Sequence, residues 1–413
     1  MSSENKLLYG NFLEMKQKVV VIGNSFATRL NIIRSVGEIG CEVIVVAIDY
    51  YKSLNPQKPI DCYSRYVKEV VFFDRKHGKD GLVQLLLDKC TDKNQKPVII
   101  PTSDFTAVAI DNEQIRKHFI VPYINNTISS IEYWMNKANQ KAVAIQEGLN
   151  VASSLVVDGK PDILNLSDTL KFPCFTKPLA SIGGGKQCIR KCSNKSELLD
   201  VLDLANKKGI DKVLIEDYLD IDEEFAVLGF SNGSEVSIPG VIKFVRECQS
   251  HKGIAMVGEV LPAADFKEII EKFSCFIRKI GFVGLFDIDF FKCQGEFYFG
   301  ELNLRIGGSG TAVFEMGVNL PAMFVKSMLG EEIKELKHEI ATSSTFVNER
   351  MCIDDWLAGK LSTQNLYHII NSADIFFVKK ETDPKPYDEL SKEIRRNRFN
   401  YRRLAKRLIY IFK

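Results

Sequence analysis

Nowhere does the chain approach the ~20 consecutive apolar residues that a membrane span requires. Its opening stretch, MSSENKLLYGNFLEMK, interleaves charges with apolar positions and contains no signal-peptide core. Histidine is scarce, with five residues in 413, and no CxxC occurs. The ten cysteines stand at 41, 62, 90, 174, 188, 192, 248, 275, 293 and 352, and the closest pair, Cys188 and Cys192, has no second pair or histidine beside it. That excludes the usual structural zinc patterns and points to buried, reduced thiols in a cytoplasmic protein. The loop after the first apolar run, Gly23-Asn24-Ser25-Phe26-Ala27-Thr28, lacks GxGxxG, and GxxxxGK[ST] is absent throughout. A dinucleotide fingerprint and a P-loop are thereby set aside. Net charge is only +2, from 55 Lys+Arg and 53 Asp+Glu, which argues against a nucleic-acid partner. The excess is local. Residues 395–413 hold eight Lys/Arg and no acid, so the rest of the chain stands at −6.

What is present has a clear order. Residues 18–22 (KVVVI) read as a buried strand, 26–39 as a helix closed by Gly40, and 41–48 (CEVIVVAI) as a second strand. The unit repeats as strand 67–72, helix 80–90, strand 97–100 and helix 104–117, giving an open parallel α/β domain over 16–124. Ligands of such sheets sit beyond the strand C-termini, so the Gly23 loop and Pro101-Thr102-Ser103-Asp104 are both candidate contacts, with helix capping the alternative for Ser103 and Asp104. A helical stretch at 129–148 surrounds Met135-Asn136-Lys137. Residues 172–300 carry β-branched and aromatic residues with turns at SNGS (231–234) and CQGE (293–296), an α+β pattern, and one helix, 264–280, ends at Gly281.

Four clusters in this second region carry chemistry. Lys177 ends a strand, and Gly183-Gly184-Gly185-Lys186 follow; glycines allow backbone N–H groups close to phosphate oxygens, and lysine adds a point charge. A strand then runs into an acidic linker, Glu216-Asp217-Tyr218-Leu219 with Glu224 beyond, which suits an adenine edge and a ribose or else a solvated loop. Next, Asp287-Ile-Asp289 and Glu301-Leu-Asn303-Leu-Arg305 embed polar residues in apolar strands. Alternation puts each set on one face, and the short turn at 293–296 makes the strands hairpin partners. Carboxylates crowded there need neutralising, as a hard divalent cation with nucleotide phosphates would do. Last, Arg305 leads into Gly307-Gly308-Ser309-Gly310, suited to an anionic group.

In this order the clusters resemble the ATP-grasp superfamily over about residues 16–330, most closely its D-aspartate-ligase and carbamoyl-phosphate-synthetase-like branch, through Glu301 to Leu329. The resemblance implies a pre-ATP-grasp open parallel sheet (16–124), a two-lobed ATP-grasp domain (125–335, small lid lobe about 142–222) and a small helical C-terminal appendage (336–413). It implies Lys137 and Lys177 at the nucleotide phosphates, and Gly183, Gly184, Gly185 and Lys186 as the flexible phosphate loop. Glu216, Asp217, Tyr218 and Leu219 become the adenine hinge and Glu224 the ribose contact. Asp289, Glu301 and Asn303 become ligands of one or two Mg2+ ions (Mn2+ as a substitute), with Asp287 outside that register. Arg305 becomes the catalytic arginine beside Lys177. The implied activity is an ATP- and Mg-dependent carboxylate–amine ligase that forms an amide through an acyl phosphate. The alternatives are an inactive nucleotide-binding module and a carboxylase or kinase using another nucleophile. Small carboxylates and amines are the expected substrates. Lys243, Arg246, His251 and Lys252 read as anion contacts or surface salt bridges. The basic segment 395–413 puts Leu404, Leu408 and Ile411 on one stripe. It suits an anionic membrane face and a lipid-linked or glycan acceptor, or else docking on the body or in a homodimer.

Overall fold

A computed structural model describes residues 17–49, 58–126, 129–158, 170–180 and 185–398. The expectations placed on Gly183, Gly184 and residues 399–413 lie outside them.

The first domain is a four-stranded parallel sheet in the order β3-β2-β1-β4, from β1 (Lys18–Gly23), β2 (Glu42–Ile48), β3 (Val67–Phe73) and β4 (Val98–Pro101). The continuous apolar runs of β1 and β2 are buried on both faces, as parallel strands require. Helix α1 (Phe26–Glu38) is buried on most sides, its polar Arg29, Asn31, Arg34 and Ser35 included. Helix α2 (Gly78–Lys89) covers the other face. The helix expected at 104–117 is two helices, α3 (Asp104–Ile110) and α4 (Glu113–His118). Asn112 breaks it, because its side chain accepts from the Gln114 N–H at 2.8 Å and caps α4. The stretch at 129–148 divides for the same reason. Helices α5 (Ile131–Trp134) and α6 (Lys137–Gln146) part at Asn136, which accepts from the Ala138 N–H at 2.9 Å.

Strands β5 (Tyr123–Ile124) and β6 (Asn150–Val151) join the large sheet described below. A smaller antiparallel sheet follows in the order β7-β10-β8-β9, from β7 (Ser154–Asp158), β8 (Cys174–Pro178), β9 (Arg190–Cys192) and β10 (Lys212–Asp217). Helix α7 (Lys195–Lys207) packs Leu198, Val201, Leu202 and Ala205 on it, against Cys174, Cys188 and Cys192. These thiols are free, like all ten, and burial pushes them up; Cys174 reaches about 11.

The large sheet adds β11 (Glu223–Asn232), β12 (Val236–Ser237), β13 (Gly240–Glu247), β14 (Ala255–Pro262), β15 (Phe282–Cys293) and β16 (Glu296–Asn303). Helix α8 (Lys267–Ile280), closed by Gly281 in the left-handed conformation, buries Phe273 and Phe276 against Phe286 and Phe290 on one face. The opposite face carries Ala226 and Leu228 and meets α9 (Gly310–Glu315), α10 (Leu320–Met328) and α1 of the first domain.

Residues 344–398 contribute more than helices. Strands β17 (Ser344–Val347) and β18 (Ile375–Phe376) extend the large sheet beyond β14, while α11 (Glu349–Leu357), α12 (Thr363–Ser372) and α13 (Lys385–Arg398) pack beside it. The segment is sewn to the first domain by a buried pair. Arg34 Nε donates to Asp383 at 2.9 Å, and its other nitrogens reach the carbonyls of Phe377 and Val378. Among the described residues no helix is long and apolar enough to cross a membrane.

Candidate active site

Strands β15 and β16 meet at a two-residue turn, Gln294-Gly295, where both residues have positive φ. The turn pairs Phe290 with Phe299, and a bulge at Gly300 then shifts the register by one residue, so that Asp289 lies opposite Glu301 and Asp287 opposite Asn303. Asp289 is also opposite Ala226 of β11, so these polar groups share the sheet face turned toward α10 and the first domain. Asn303 Nδ2 donates to Asp289 Oδ2 at 3.4 Å, and Arg305 Nη2 to Asn303 Oδ1 at 3.2 Å. Arg305 Nε reaches across to Asp104 at 2.9 Å, so the residue opening α3 faces the site. Asp287 leans on the glycine loop. A Cβ at Gly307 would lie 2.1 Å from its Oδ2, which is why a glycine stands there.

Electrostatically the hairpin is crowded. Burial pushes the Asp287 carboxyl up to about 7, with Arg305 opposing and Glu301 and Asp104 adding to the rise. Asp289 is raised by burial first, then by Asp287 and Glu301. Asp287 Oδ1 is buried without a hydrogen-bond partner. Hard oxygen donors, excess negative charge and an orphaned carboxylate oxygen together fit an oxygen-seeking divalent cation. Among the described residues no three or more His, Cys, Asp or Glu side chains gather closely enough to hold a metal. The oxygen donors this face offers are the Asp289 and Glu301 carboxylates with the Asn303 amide between them and Arg305.

Helix α6 supplies the cations. Lys137, its first residue, pairs with Glu301 at 2.8 Å. One turn on, Lys141 pairs with Glu216 of β10 at 2.5 Å, and Lys177 of β8 pairs with the other Glu216 oxygen at 2.8 Å. Burial pushes the Glu216 carboxyl up, but Lys177 and Lys141 outweigh it and hold the group below the usual carboxylate value. Tyr218 lies under the Lys191 ammonium, 3.8 Å from the ring centroid. Gly185 has φ +91°, and a Cβ there would meet Ile210 at 2.6 Å.

The fold that holds this arrangement has known counterparts. A sequence profile of the ATP-grasp domain matches residues 142–317. Residues 142–317 are an ATP-grasp domain. It is 24% identical over 327 residues to a formate-dependent phosphoribosylglycinamide formyltransferase of Mannheimia succiniciproducens, covering 75% of this chain and 77% of that protein. It is 23% identical over 223 residues to a carbamoyl phosphate synthase large chain of Gemmatimonas aurantiaca, covering 52% of this chain. This chain spans only 20% of that synthase's length. Among solved structures, N5-carboxyaminoimidazole synthetase from Staphylococcus aureus, complexed with ADP, superposes with a TM-score of 0.61 at 18% identity, covering 84% of this chain and 86% of that one.

The ATP-grasp match takes in Lys177, Glu216, Glu224, Asp289, Glu301, Asn303 and Arg305, and stops just short of Lys137 and Lys141. The structure brings Lys137 together with Glu301, and Lys177 with Glu216. Asp217, Tyr218 and Leu219 form a half-buried connection from β10 toward β11. Glu224 lies on β11 with its side chain reaching solvent, and partial desolvation of the carboxyl, then Glu247, raises it above the usual value. Several polar residues near the site serve the fold. Arg29 and Asp61 form a buried pair at 2.6 Å, and Arg29 also donates to the Gly23 carbonyl, so the first-strand loop rests on protein. Ser103 makes a capping box with Thr106. Lys243 pairs with Glu223, and His251 with Asp354 at 3.1 Å. Arg246 is half-buried on β13. Sequence reasoning missed Lys141 and the Asp104–Arg305 link. The available signal for Lys141 was its i,i+4 spacing from Lys137, which puts both on one helix face.

Proposed function

We propose that the protein is an ATP- and Mg2+-dependent ligase that activates a small carboxylate as an acyl phosphate and joins it to an amine. The observation that carries this reading is the β15–β16 hairpin, with Asp289, Glu301 and Asn303 on one face and Arg305 directly after them. The ATP-grasp domain and the formate-dependent relative support carboxylate activation by ATP.

Asp289, Glu301 and Asn303 would hold Mg2+, which when bound offsets the phosphate charge that repels an incoming carboxylate. Lys137 and Lys177 bind the phosphate oxygens, and the segment around Gly183, Gly184, Gly185 and Lys186 covers them. Asp217 to Leu219 border the adenine, and Glu224 is offered to the ribose. The substrate carboxylate oxygen attacks the γ-phosphorus, the bond to the β-phosphate oxygen breaks, and ADP leaves. Arg305 stabilises the negative charge of the acyl phosphate and of the tetrahedral adduct formed when the amine attacks. The C–O bond to phosphate then breaks and the amine proton is lost. Because water competes with the amine, the small β7–β10 lobe with α7 is the natural cover.

The test is Mg-ATP-dependent phosphate release across D- and L-amino acids and sugar acids, singly and paired, with bicarbonate as a further acid, beside Glu301→Ala. Release that requires both an acid and an amine, with a product mass equal to their sum less water, supports the ligase. Release with bicarbonate alone would identify a carboxylase, and a phosphorylated product a kinase. Tight ATP binding with no release under any condition would indicate a non-catalytic nucleotide-binding module. Adding membrane extract tests a lipid-linked acceptor, and sedimentation tests a homodimer.

A further inference from the structure

The Lys141–Glu216–Lys177 cluster holds two ammonium groups around one carboxylate. Its members are buried in graded fashion, with side-chain exposures of 5%, 7% and 15% from Lys141 to Lys177. Lys141 is the inner end, and its remaining hydrogen bond goes to a neutral acceptor, the Ala152 carbonyl, at 2.8 Å. Asp217 acts on Lys141 only through its field, which favours the charged ammonium. Burial holds that ammonium below the usual lysine value, Glu216 opposes the shift, and the Lys177 charge adds to it. Lys177 is the outer end, on the β8 strand that runs toward the glycine loop.

From this geometry we propose that Lys141 sets the net charge of the nucleotide-phosphate subsite without touching the nucleotide. The inference rests on the nucleotide reading of Lys177 given above. A Glu216 paired with Lys177 alone would cancel its charge, leaving a neutral pair facing the phosphates. Lys141 satisfies Glu216 from inside, so one positive charge remains at the open end, where Lys177 can give it to a polyphosphate. Glu216 then acts as a relay between an inner and an outer lysine, and its carboxylate does not compete with the ligand. Lys141 is accordingly a positioning residue.

The charge account separates this role from a buttress holding α6 to β10. Binding of adenosine, AMP, ADP and ATP to the full chain would be measured by calorimetry, without metal, for wild type, K141M, K141R, E216Q, K141M/E216Q and K177M. K141M is expected to weaken ADP and ATP about tenfold and adenosine less than twofold, a loss graded by phosphate charge. K141R keeps the charge and should stay within about threefold of wild type. K141M/E216Q restores a single positive charge and should regain most of the lost ADP affinity. Equal weakening for all four ligands, or a double variant no tighter than K141M, would overturn the proposal. Should K141M fail to fold, E216Q and K141M/E216Q decide: E216Q should bind ADP several-fold tighter, and equal affinities would overturn it. A wild type that binds no adenine nucleotide, or a K177M that binds as wild type does, would overturn the nucleotide reading and this inference together. A K177M that loses ADP beside a K141M that does not would overturn this inference alone.

Discussion

Two charged clusters meet on helix α6, and they are imbalanced in opposite senses. At Lys137 the helix touches the hairpin, where Asp287, Asp289 and Glu301 crowd one sheet face and burial drives the aspartates toward protonation. One turn later, at Lys141, it touches the small lobe, where two ammonium groups share one carboxylate. Elsewhere buried charges are satisfied within the protein, by ion pairs at Arg29–Asp61 and Arg34–Asp383 and by backbone N–H donors at Glu349 and Asp355. Matched pairs hold a fold together, whereas each unmatched cluster leaves a charge for a ligand to complete. One side suits a cation and the other a polyanion, and a metal–nucleotide complex brings both.

The sharpest way to break the contrast is to empty the negative side. Asp289→Ala or Glu301→Ala should reduce Mg-ATP-dependent phosphate release to background, and each should abolish any Mg2+-induced rise in melting temperature. Next in size is a matched pair away from the cleft. Arg34→Met strands Asp383 in a dry interior and should cost about 3–5 kcal/mol in urea unfolding, with little change in nucleotide affinity. Arg305→Met should lower kcat by ~10²–10³, read in steady-state phosphate release, while ADP binding changes little. On the positive side, Glu216→Gln tests the relay through pH. The two lysines hold the Glu216 acid below its ordinary value, so its stabilisation is present above the ordinary carboxylate pKa of ~4.3. It is lost as pH falls through the lower folded value. The unfolding free-energy gap between wild type and Glu216→Gln should therefore be largest at neutral pH and close in acid. The smallest effect belongs to an exposed pair. Lys79→Ala removes the Lys79–Glu132 contact and should shift stability by no more than ~0.5 kcal/mol.

Much of this was legible in the chain. The β1–α1–β2 unit follows from an apolar run, a 3.6-residue stripe and a closing glycine, all local signals. The hairpin follows from alternation and the Gln294-Gly295 turn, but the turn alone would set Asp289 opposite Gly300; the bulge between Asp289 and Phe290 is what brings Glu301 and Asn303 onto the aspartates' face. Helix breaks at Asn112 and Asn136 were missed because helical periodicity continues across them while a side-chain cap competes locally. Strands β17 and β18 were hidden in a charged stretch, since a short edge strand needs little apolar sequence.

By itself the sequence determined which groups could serve: the alternating carboxylates, the arginine before a glycine loop, and the lysines at a strand end and a helix start. Only the tertiary structure decided how their charges pair. Glu216 lies between Lys141 and Lys177, and Arg305 meets Asp104 although 201 residues separate them along the chain. Periodicity reports which face a residue occupies. Pairing depends on which faces are brought within a few ångströms, and in a buried site that distance sets whether a charge is cancelled or left for a ligand.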